Sequence, residues 1–478
     1  MNDMILILNY ADEFSMEIAR RLRGEQVYAR IISGMVTAQQ VCDIAPRGII
    51  LSGEAEGKHG TFDAEILSLG VPVLALGHAA YMLLAACGGA CADTALSEKK
   101  AYVEYGRSPL FTGIAGGERY IRKSRTLMLP ADVQEAAEAG GCTVAFEDAE
   151  RKLYGVQFEL ERNDPEGSAI LKNFARDICG CSAWWSLDAA LSEAERVLAQ
   201  QAKRGGEAVC AVSGGVDSTV AAILAYRAFG GRMKAVFVDT GLLRSGETES
   251  VRAMYEALGI PLLCVDHSEE ILAALAGRKK PEEKREVVTN CLYAEISRRG
   301  SMMKGEKTLV LGTNYSDFLH NGSSASNWKG SGLTVTEPLL ELFKDEVRSI
   351  AQRLGMPQEM VSRKPFPALG LGARIVGEIT AERLATLRMA EAAFREEICE
   401  AGLERKLYKY FPVMLTSGTD GVVIVLRAVT VSGGMLLPAR LPYDLVERTV
   451  QRIMEAAPCV SRVFYDSTPT PVDRESFS

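Results

Sequence analysis

The residues best suited to chemistry stand in one short run near the middle of the chain. The run reads Ser213-Gly214-Gly215-Val216-Asp217-Ser218-Thr219. It follows an apolar stretch typical of a buried strand, 208–212, and precedes a stretch typical of a helix, 220–226. Free backbone N–H groups and the helix dipole favour an anion at such a helix N-terminus, and glycines let phosphate oxygens approach the backbone closely. The run therefore predicts a phosphate-binding loop.

The acidic residue of this run, Asp217, points to a metal ion. A carboxylate beside phosphate groups is unfavourable unless a divalent cation lies between them, and Mg²⁺ is the usual one. The hydroxyl groups of Ser213, Ser218 and Thr219 add donors for phosphate oxygens. We therefore expect a bound polyphosphate with Mg²⁺ at Asp217. A plain glycine–serine turn before a helix is the alternative.

The sequence Ser-Gly-Gly-Val-Asp-Ser at 213–218 resembles the pyrophosphate-binding loop of the ATP pyrophosphatases. The Gly-Lys-Ser/Thr ending of a Walker loop is missing. The resemblance implies that ATP is split between its α and β phosphates while a substrate oxygen is adenylated. It implies ATP and Mg²⁺ as cofactors, and it gives Asp217 a part both in catalysis and in metal binding.

Further short apolar runs alternate with helical patterns after this loop and predict a parallel sheet. Ligands bind beyond the carboxyl ends of such strands. Ser213, Asp239 and Gly312 stand at three of these ends, so we expect them to converge on one ATP. The predicted nucleotide-binding residues of the sheet are Ser213, Gly214, Gly215, Val216, Asp217, Ser218, Thr219, Val238, Asp239, Gly312 and Thr313.

Three later motifs narrow the resemblance to the GMP synthase family. Asp-Thr-Gly-Leu-Leu-Arg at 239–244 and Pro-Glu-Glu-Lys-Arg at 281–285 resemble two of its motifs, and 337–348 is very close to the family sequence. The second motif is a mobile lid in that family. The resemblance therefore implies that Lys284 and Arg285 close on the phosphates of ATP.

Two residues of the third motif, Lys344 and Asp345, precede a predicted helix, where they can reach the phosphates of ATP and its Mg²⁺. We expect Lys344 to take part in catalysis and Asp345 to bind the metal together with Asp217. The alternatives are an exposed, salt-bridged helix start at this position and, for the lid, an ordinary solvated run of charges at 278–285.

The residues expected to hold the acceptor differ from those of the family sequence. Where the family has Lys-Ser-His-His-Asn, this chain has Ala-Ser-Asn-Trp-Lys at 325–329, and 312–321 differs as well. The family ending, which closes on the XMP phosphate and base, is replaced at 468–478. The resemblance implies ATP-dependent amination of XMP to GMP through an adenylated intermediate. The alternatives are a paralogue that adenylates a different acceptor and a nucleotide-binding regulatory protein that does not turn over.

The first domain resembles a class I glutamine amidotransferase, whose strands match 48–53 and 153–158. Such enzymes use a Cys nucleophile, a His base and a Glu that orients the base. Aligned on the family strands, this chain has Gly77 in place of the Cys and Glu159 in place of the His. Only Glu161 matches the third residue, so the resemblance implies a triad that is lost.

No other residue of this domain replaces the missing triad in our interpretation. The loop that would bind the oxyanion carries Glu54, and a carboxylate there would repel the developing charge. Cys87 and Cys91 are expected to be small buried residues, and His78 a packing or turn residue. We therefore predict no glutaminase activity, and a nitrogen donor that is free ammonia or ammonia from a partner protein.

The amino-acid composition limits the number of domains and the kinds of partner and metal site that the chain can have. The chain has 478 residues, of which 47% are hydrophobic and 24% charged, and its net charge is −8. These values predict a folded protein of two or three domains and exclude a nucleic-acid surface that covers the whole molecule. The 11 cysteines form no C-x-x-C arrays, so we expect neither a zinc site nor a disulfide framework, and a cytoplasmic location. No apolar stretch is long enough for a membrane span.

The predicted fold class is α/β, with two doubly wound parallel-sheet domains and a small α+β dimerisation domain. We place the amidotransferase-like domain at 1–180, the ATP pyrophosphatase domain at 183–360 and the dimerisation domain at 361–478. Within the last, the run 422–430 is apolar on both faces of a strand. A small domain with such a strand needs a partner, so a homodimer is expected.

Overall fold

The computed structural model describes residues 3–10, 14–53, 63–160, 165–361, 366, 369–416, 421–432 and 435–471. The chain forms two compact units, Met1–Ala190 and Leu191–Ser478. Each unit has its own hydrophobic core, as expected for a chain that is too long for one core. No helix in the described part of the chain combines the length and the apolar character that crossing a membrane requires.

The first unit is built on one nine-stranded sheet. Its strands and helices are β1 (Ile5–Asn9), α1 (Ser15–Gly24), β2 (Ala29–Ser33), α2 (Ala38–Ile44), β3 (Gly48–Gly53), β4 (Val73–Gly77), α3 (His78–Ala86), β5 (Ala90–Tyr105), β6 (Gly117–Met128), β7 (Gln134–Ala139), β8 (Cys142–Asp148), β9 (Leu153–Val156) and α4 (Pro165–Lys172). The strand order is β2-β1-β3-β4-β9-β8-β7-β5-β6. Strands β1, β3 and β4 are buried over almost their whole length, so both faces of the sheet are covered there.

This sheet is parallel only in its first half. Pairing is parallel from β2 to β9 and antiparallel from β9 to β6. The sequence pattern predicts the parallel half, because its strands are continuous apolar runs. The long strands β5 and β6 are rich in charged residues and lack such runs, so the pattern does not reveal the antiparallel half.

The second unit contains an all-parallel sheet. Its elements are α5 (Leu187–Lys203), within which the boundary between the units falls, β10 (Glu207–Val212), α6 (Val216–Phe229), β11 (Met233–Asp239), α7 (Glu247–Ala257), β12 (Leu262–Asp266), α8 (Ser268–Leu275), α9 (Pro281–Ser301), β13 (Lys307–Val310), α10 (Tyr315–Asn321), β14 (Thr334–Thr336), α11 (Lys344–Arg353) and α12 (Gln358–Val361). The strand order is β12-β11-β10-β13-β14. The chain runs outward from β10 to β12 and then returns to β13 on the other side of β10. Ligands bind where the order reverses in this way.

The same unit ends in a second sheet covered by helices. The elements are α13 (Ala381–Glu400), β15 (Lys409–Thr416), β16 (Val422–Ser432), β17 (Met435–Pro438), α14 (Tyr443–Ala456), β18 (Val460–Tyr465) and β19 (Thr470–Pro471). Strand β16 pairs antiparallel with β15 and β17 and parallel with β18. Its apolar residues Ile424 and Leu426 share one core cluster with Phe394 of α13, and with Leu242 and Ile271 from the region of the parallel sheet. This shared core explains why 191–478 forms one unit.

The structure confirms the predicted α/β fold class, with a small sheet domain at the end of the chain. The predicted boundary between 180 and 183 lies close to the end of the first unit at Ala190. The further division of the second unit at about 360 stays a prediction.

Candidate nucleotide-binding site

The loop between β10 and α6 has the backbone geometry of an anion-binding helix N-terminus. Gly214 has a φ of +76°, a conformation that residues with side chains rarely adopt. Gly215 is the N-cap residue of α6, which begins at Val216. N–H groups in the first turn of a helix lack partners within the helix, and they carry the positive end of its dipole. The loop therefore presents the donors that phosphate oxygens need.

The hydroxyl groups of this loop hold its shape. Ser218 Oγ accepts a hydrogen bond from the Ser213 N–H and donates to the Gly215 carbonyl oxygen, each at 3.1 Å. Thr219 Oγ1 donates to the same carbonyl oxygen at 2.8 Å. Ser218 and Thr219 thus stabilise the turn through hydrogen bonds within the loop, whereas the sequence predicts them as phosphate donors. The exposed Ser213 is better placed for that role.

Asp217 lies in the first turn of α6, with its side chain 18% exposed and its Oδ2 3.8 Å from Lys344 Nζ. Burial raises the pKa of the Asp217 carboxyl above its ordinary value, and the Lys344 ammonium opposes that shift. Asp217 Oδ1 and Asn314 Nδ2 are both buried, and the Asn314 amide beside the carboxylate also opposes the raised pKa. A neutral amide does not balance a buried negative charge, so a cation at this oxygen would be favourable. The residues present therefore fit a bound Mg²⁺.

Lys344 is the first residue of α11, and its side chain is 36% exposed. Glu346 fixes the start of this helix, because its Oε2 accepts a hydrogen bond from the Phe343 N–H at 2.8 Å. The sequence places Lys344 at a helix start, and the structure adds that this start faces the first turn of α6. The pair of Lys344 and Asp217 brings both predicted catalytic residues together.

A cavity of about 420 Å³ opens over the loop, within the range of sites for small ligands. Lys344 and the loop residues form its polar side. The predicted residues that line it are Ser213, Gly214, Gly215, Val216, Asp217, Ser218, Val238 and Lys344. An apolar wall is formed by Leu292, Tyr293, Ile296, Leu311 and Trp328. The cavity thus joins phosphate donors to a surface suited to a planar base.

Gly312 and Thr313 support the cavity from the neighbouring strand. The chain after β13 passes directly over α6, so a Cβ at Gly312 would lie 2.6 Å from Ser218 Cα and 2.8 Å from the Asp217 carbonyl carbon. Thr313 Oγ1 donates to Ser324 Oγ at 3.2 Å, and Ser324 lines the cavity. Both residues lie at the reversal point between β10 and β13, and their contact with the nucleotide stays a prediction.

We expect Gly312→Ala to displace the first turn of α6, because its new methyl group meets backbone atoms that cannot rotate away. The expected result is a roughly 10²-fold loss of ATP turnover, measured as pyrophosphate release. Gly231→Ala is the matched control, since no atom lies within 4 Å of the Cβ position there. Equal activity of the two variants would contradict the close approach.

Asp239 does not line this cavity. Its Oδ1 accepts from the Gly241 N–H at 2.8 Å and its Oδ2 accepts from Thr248 Oγ1 at 2.6 Å. The carboxylate therefore shapes the turn that follows β11, and it borders a second cavity, of about 520 Å³. The neighbouring Thr240 lines the first cavity instead. A direct bond from Asp239 to the nucleotide stays a prediction.

The lid residues and Asp345 also lie outside the cavity lining. Lys284, in the first turn of α9, is buried, and its Nζ donates to the Ile375 carbonyl oxygen at 2.8 Å. Burial lowers the pKa of Lys284, and Arg383 adds to the shift. Arg285 and Asp345 are exposed. Phosphate binding by Lys284 would require its hydrogen bond to break, and the roles of all three residues stay predictions.

The apolar wall is the part of the site that the sequence did not reveal. Trp328 is buried and packs edge-on against Tyr293 of α9, with ring centroids 4.8 Å apart. The two residues are 35 positions apart, so no local pattern joins them. The only signal in the sequence is that Trp328 falls in the segment 325–329, which departs from the family motif.

Comparison with known proteins agrees with this geometry. The model of the NAD synthase family matches residues 192–378. The GMP synthase [glutamine-hydrolyzing] of Geobacillus kaustophilus is 34% identical over 98% of this chain and 98% of its own length. The enzymes of that name from Streptococcus mutans and Clostridium perfringens are 35% and 34% identical, each over 98% of this chain and over 97% and 99% of their own lengths. The chain belongs to the GMP synthase family. Members of this family are ligases that form a carbon–nitrogen bond.

The relatives are named as glutamine-hydrolysing GMP synthases. In the first unit of this family member, the turn after β4 is where the glutaminase nucleophile would stand. Gly77 connects β4 to α3 with φ of +57° and ψ of −121°. A sharp turn between strand and helix is where hydrolases hold a nucleophile above the sheet. The nearest atom to a Cβ at Gly77 is the Gly53 carbonyl oxygen, at 3.5 Å. The turn is thus present with open space beside it, but its φ disfavours a side chain and its residue is glycine.

Two of the substituted positions follow neighbouring strands in the middle of the sheet. Gly77 ends β4 and pairs with Gly53 of β3, Leu76 pairs with Val156 of β9, and Glu159 comes three residues after Val156. Glu159 is buried, and its N–H donates to the Tyr120 carbonyl oxygen. Glu54 and Glu161 lie outside the described residues.

Neither cysteine near α3 stands in the turn after β4, where the family nucleophile would be. Cys87 follows the last turn of α3, about 15 Å along the helix from Gly77. Burial raises the pKa of the Cys87 thiol, whereas reactive thiols have lowered values. Cys91 lies in β5, where its Sγ accepts a hydrogen bond from Arg125 Nη1 at 3.4 Å. His78 stacks edge-on against Tyr81, as a packing residue does.

Proposed function

We propose that this GMP synthase family member catalyses the ATP-dependent amination of XMP to GMP through an adenylated intermediate. One observation carries the proposal: the loop 213–219 starts a helix over a cavity that contains both Asp217 and Lys344. The full-length similarity to enzymes named GMP synthase supports it. The products are GMP, AMP and pyrophosphate, and the nitrogen donor is ammonia.

In this proposal the loop holds the phosphates of ATP, and its backbone donors orient the α phosphate toward the acceptor oxygen. Lys344 Nζ, 3.8 Å from Asp217 Oδ2, lies close enough to bind phosphate oxygens and to stabilise the charge of the departing pyrophosphate. Asp217 would hold Mg²⁺, with Asp345 as the second proposed ligand. When bound, Mg²⁺ would neutralise the negative charge of the phosphates. The apolar wall with Tyr293 would pack against the adenine base and exclude water.

We further propose that the ammonia is free or comes from a partner protein. The turn at Gly77 supplies no thiol, and Glu159 stands at the position of the base. The fold of the first unit is nevertheless complete in its parallel half, with β1, β3 and β4 fully packed. The unit then serves as a scaffold that no longer generates ammonia.

A second candidate is a paralogue that adenylates another acceptor. Trp328 lines the cavity at the position where the family resemblance has a histidine, and it replaces polar surface by an aromatic ring. An indole does not donate to phosphate in the way that imidazole or ammonium groups do, since it has one N–H and no positive charge. This change favours an acceptor whose recognition is more apolar than that of XMP.

Pyrophosphate release measured with ATP, XMP and ammonium distinguishes the candidates. Release that depends on XMP supports the first proposal. Release with other purine or oxo acceptors, but not with XMP, supports the paralogue. ATP binding without release under any of these conditions would leave a regulatory nucleotide-binding protein as the function.

We also propose a homodimer through the C-terminal sheet. The face of β16 that points away from the helices carries Val423 and Val425, which cluster with Phe411 and Val413 of β15. Phe464 of β18 pairs with Val425 and is 51% exposed. A large apolar side chain on the apolar face of a sheet is typical of an interface.

Light scattering at micromolar concentration should therefore give twice the chain mass of 51.8 kDa. Phe464→Asp is expected to give the monomer mass, because an ionised carboxylate would be buried at the interface. Met302→Asp, at a site that is 63% exposed after α9, is the control and should remain dimeric. A monomeric wild-type chain would contradict the proposal.

A further inference from the structure

Three potential metal ligands from two helices meet beside the parallel sheet. His267, Glu270 and Cys291 each offer a donor atom, and these atoms all lie within 4.8 Å of one another. His267 follows β12, and its N–H donates to the Asp239 carbonyl oxygen at 2.9 Å. Glu270 stands in the first turn of α8 and Cys291 in the middle of α9. The donors therefore come from rigid elements rather than from a long loop.

A second carboxylate orients the imidazole from behind. Glu295 Oε2 lies 3.4 Å from His267 Nε2, while Glu270 Oε2 lies 2.5 Å from His267 Nδ1. Glu295 is 2% exposed and accepts hydrogen bonds from Arg298 and Arg299. It is thus a fixed carboxylate that can accept the Nε2–H and leave the Nδ1 lone pair toward Glu270 and Cys291. Imidazoles that bind metals commonly donate their other N–H to such a carboxylate.

We propose that His267, Glu270 and Cys291 bind a zinc ion, with a water molecule as the fourth ligand. Imidazole nitrogen, thiolate sulfur and carboxylate oxygen are the donors that zinc prefers, and three protein ligands leave one tetrahedral position open. The Cys291 thiol gives up its proton to solvent when it binds. The set differs from the oxygen-rich sites that Mg²⁺ prefers, so it is distinct from the metal that accompanies ATP.

The site would fasten α8 to α9. Glu270 is 74% exposed and free to rotate, so its carboxylate can move from the imidazole to make room for the ion. Cys291 lies about two helical turns beyond Lys284, on the helix that carries the proposed lid residues. Zinc would therefore fix the helix on which the lid stands, which is a structural role independent of the proposed reaction.

Zinc titration of the full-length chain, in competition with a chromophoric chelator, tests the proposal. We expect one tight equivalent in the wild type and a loss of affinity of at least about 10²-fold in Cys291→Ser and in Glu270→Gln. The exposure of Glu270 makes its variant safe for folding. Cys399→Ser removes an exposed cysteine elsewhere in the same unit and should bind zinc as the wild type does.

Two further measurements report the ligands themselves. Cobalt bound in place of zinc should show a thiolate-to-metal charge-transfer band, and this band should vanish in Cys291→Ser. Zinc should raise the unfolding temperature of the wild type and leave that of Cys291→Ser unchanged. A wild-type chain without a tight equivalent, or Cys291→Ser and Glu270→Gln variants with undiminished affinity, would overturn the site. His267 would then be a residue that holds Glu270 and Glu295 together through its two ring nitrogens.

Discussion

Replacing Asp217 by alanine is expected to reduce ATP turnover by about 10³-fold or more. The carboxylate lies in the first turn of α6, lines the nucleotide cavity and faces Lys344. Its Oδ1 is buried beside the neutral Asn314 amide, and a largely buried carboxylate is a costly choice for a residue with no function. Without this carboxylate, the loop would lose its proposed metal ligand and Lys344 its ion-pair partner.

The stability of the Asp217→Asn variant distinguishes a role of this carboxylate in function from a role in folding. Burial raises the pKa of Asp217 in the folded chain above its unfolded value, so ionisation of this residue disfavours folding. The corresponding loss of stability develops as the pH rises from the unfolded-state pKa through the folded-state pKa and is complete above it. The neutral amide avoids this loss. We therefore expect Asp217→Asn to unfold at the same or a higher temperature than the wild type at neutral pH, while its turnover is lost.

Pyrophosphate release and thermal unfolding, measured on the same preparations, check both expectations. Glu256→Gln, which removes an exposed carboxylate of α7, is the control and should match the wild type in both. Asp345→Ala tests the second proposed metal ligand, which is exposed and outside the cavity lining. Undiminished release in Asp217→Ala would refute the assignment of the loop, and a marked loss of stability in Asp217→Asn would indicate a structural role.

The sequence predicts the site best where its function depends on the backbone of a few consecutive residues. The loop 213–219 lies between an apolar strand and a helix, and that local order alone places Gly214, Gly215 and Asp217 at the helix start. Gly312 follows from the same logic, since it comes two residues after β13, the strand beside β10. Strand ends of a parallel sheet converge whatever their side chains are, so this part of the prediction needs no knowledge of packing.

Side-chain direction is what the sequence could not supply. Asp239 stands at a strand end, but its two oxygens accept hydrogen bonds from its own turn. Lys284 belongs to a basic run, yet its ammonium is buried against the Ile375 carbonyl oxygen. Both outcomes depend on contacts made when distant segments pack. The same is true of His267 and Cys291, which lie 24 positions apart in sequence and meet only because α8 packs on α9.

The second large effect concerns the nitrogen donor. We expect no glutamate to form from glutamine, with or without ATP and XMP, and we expect ammonium to support any synthase activity that glutamine alone does not. Glutamine hydrolysis needs a thiolate, a base and donors for the oxyanion. The turn at Gly77 has no side chain, and a glutamate, Glu159, replaces the imidazole. Losses at both positions, which follow the neighbouring strands β4 and β9, are expected to remove the reaction rather than weaken it.

Glutamate release and pyrophosphate release, followed in parallel with each nitrogen donor, measure this directly. Gly77→Cys is an informative variant, because its Cβ would lie 3.5 Å from the nearest atom; since the φ of +57° strains any side chain there, its unfolding temperature is measured beside its activity. It should remain inactive on glutamine, since Glu159 cannot serve as the imidazole base that a thiol requires. Activity in Gly77→Cys alone would show that another group supplies the base.

Glutamate release by the wild-type chain would contradict the prediction of no glutaminase most directly. If it releases glutamate, the variant with both Cys87→Ala and Cys91→Ala identifies the source. Activity that survives in this variant would mean that the alignment of Gly77 with the nucleophile is wrong, or that a residue outside α3 and β5 does the work. Activity that disappears would assign the reaction to Cys87 or Cys91, despite the burial that raises the pKa of the Cys87 thiol. Absence of glutamate in the wild type, together with ammonium-dependent pyrophosphate release, would establish a synthase that has kept the amidotransferase fold without its reaction.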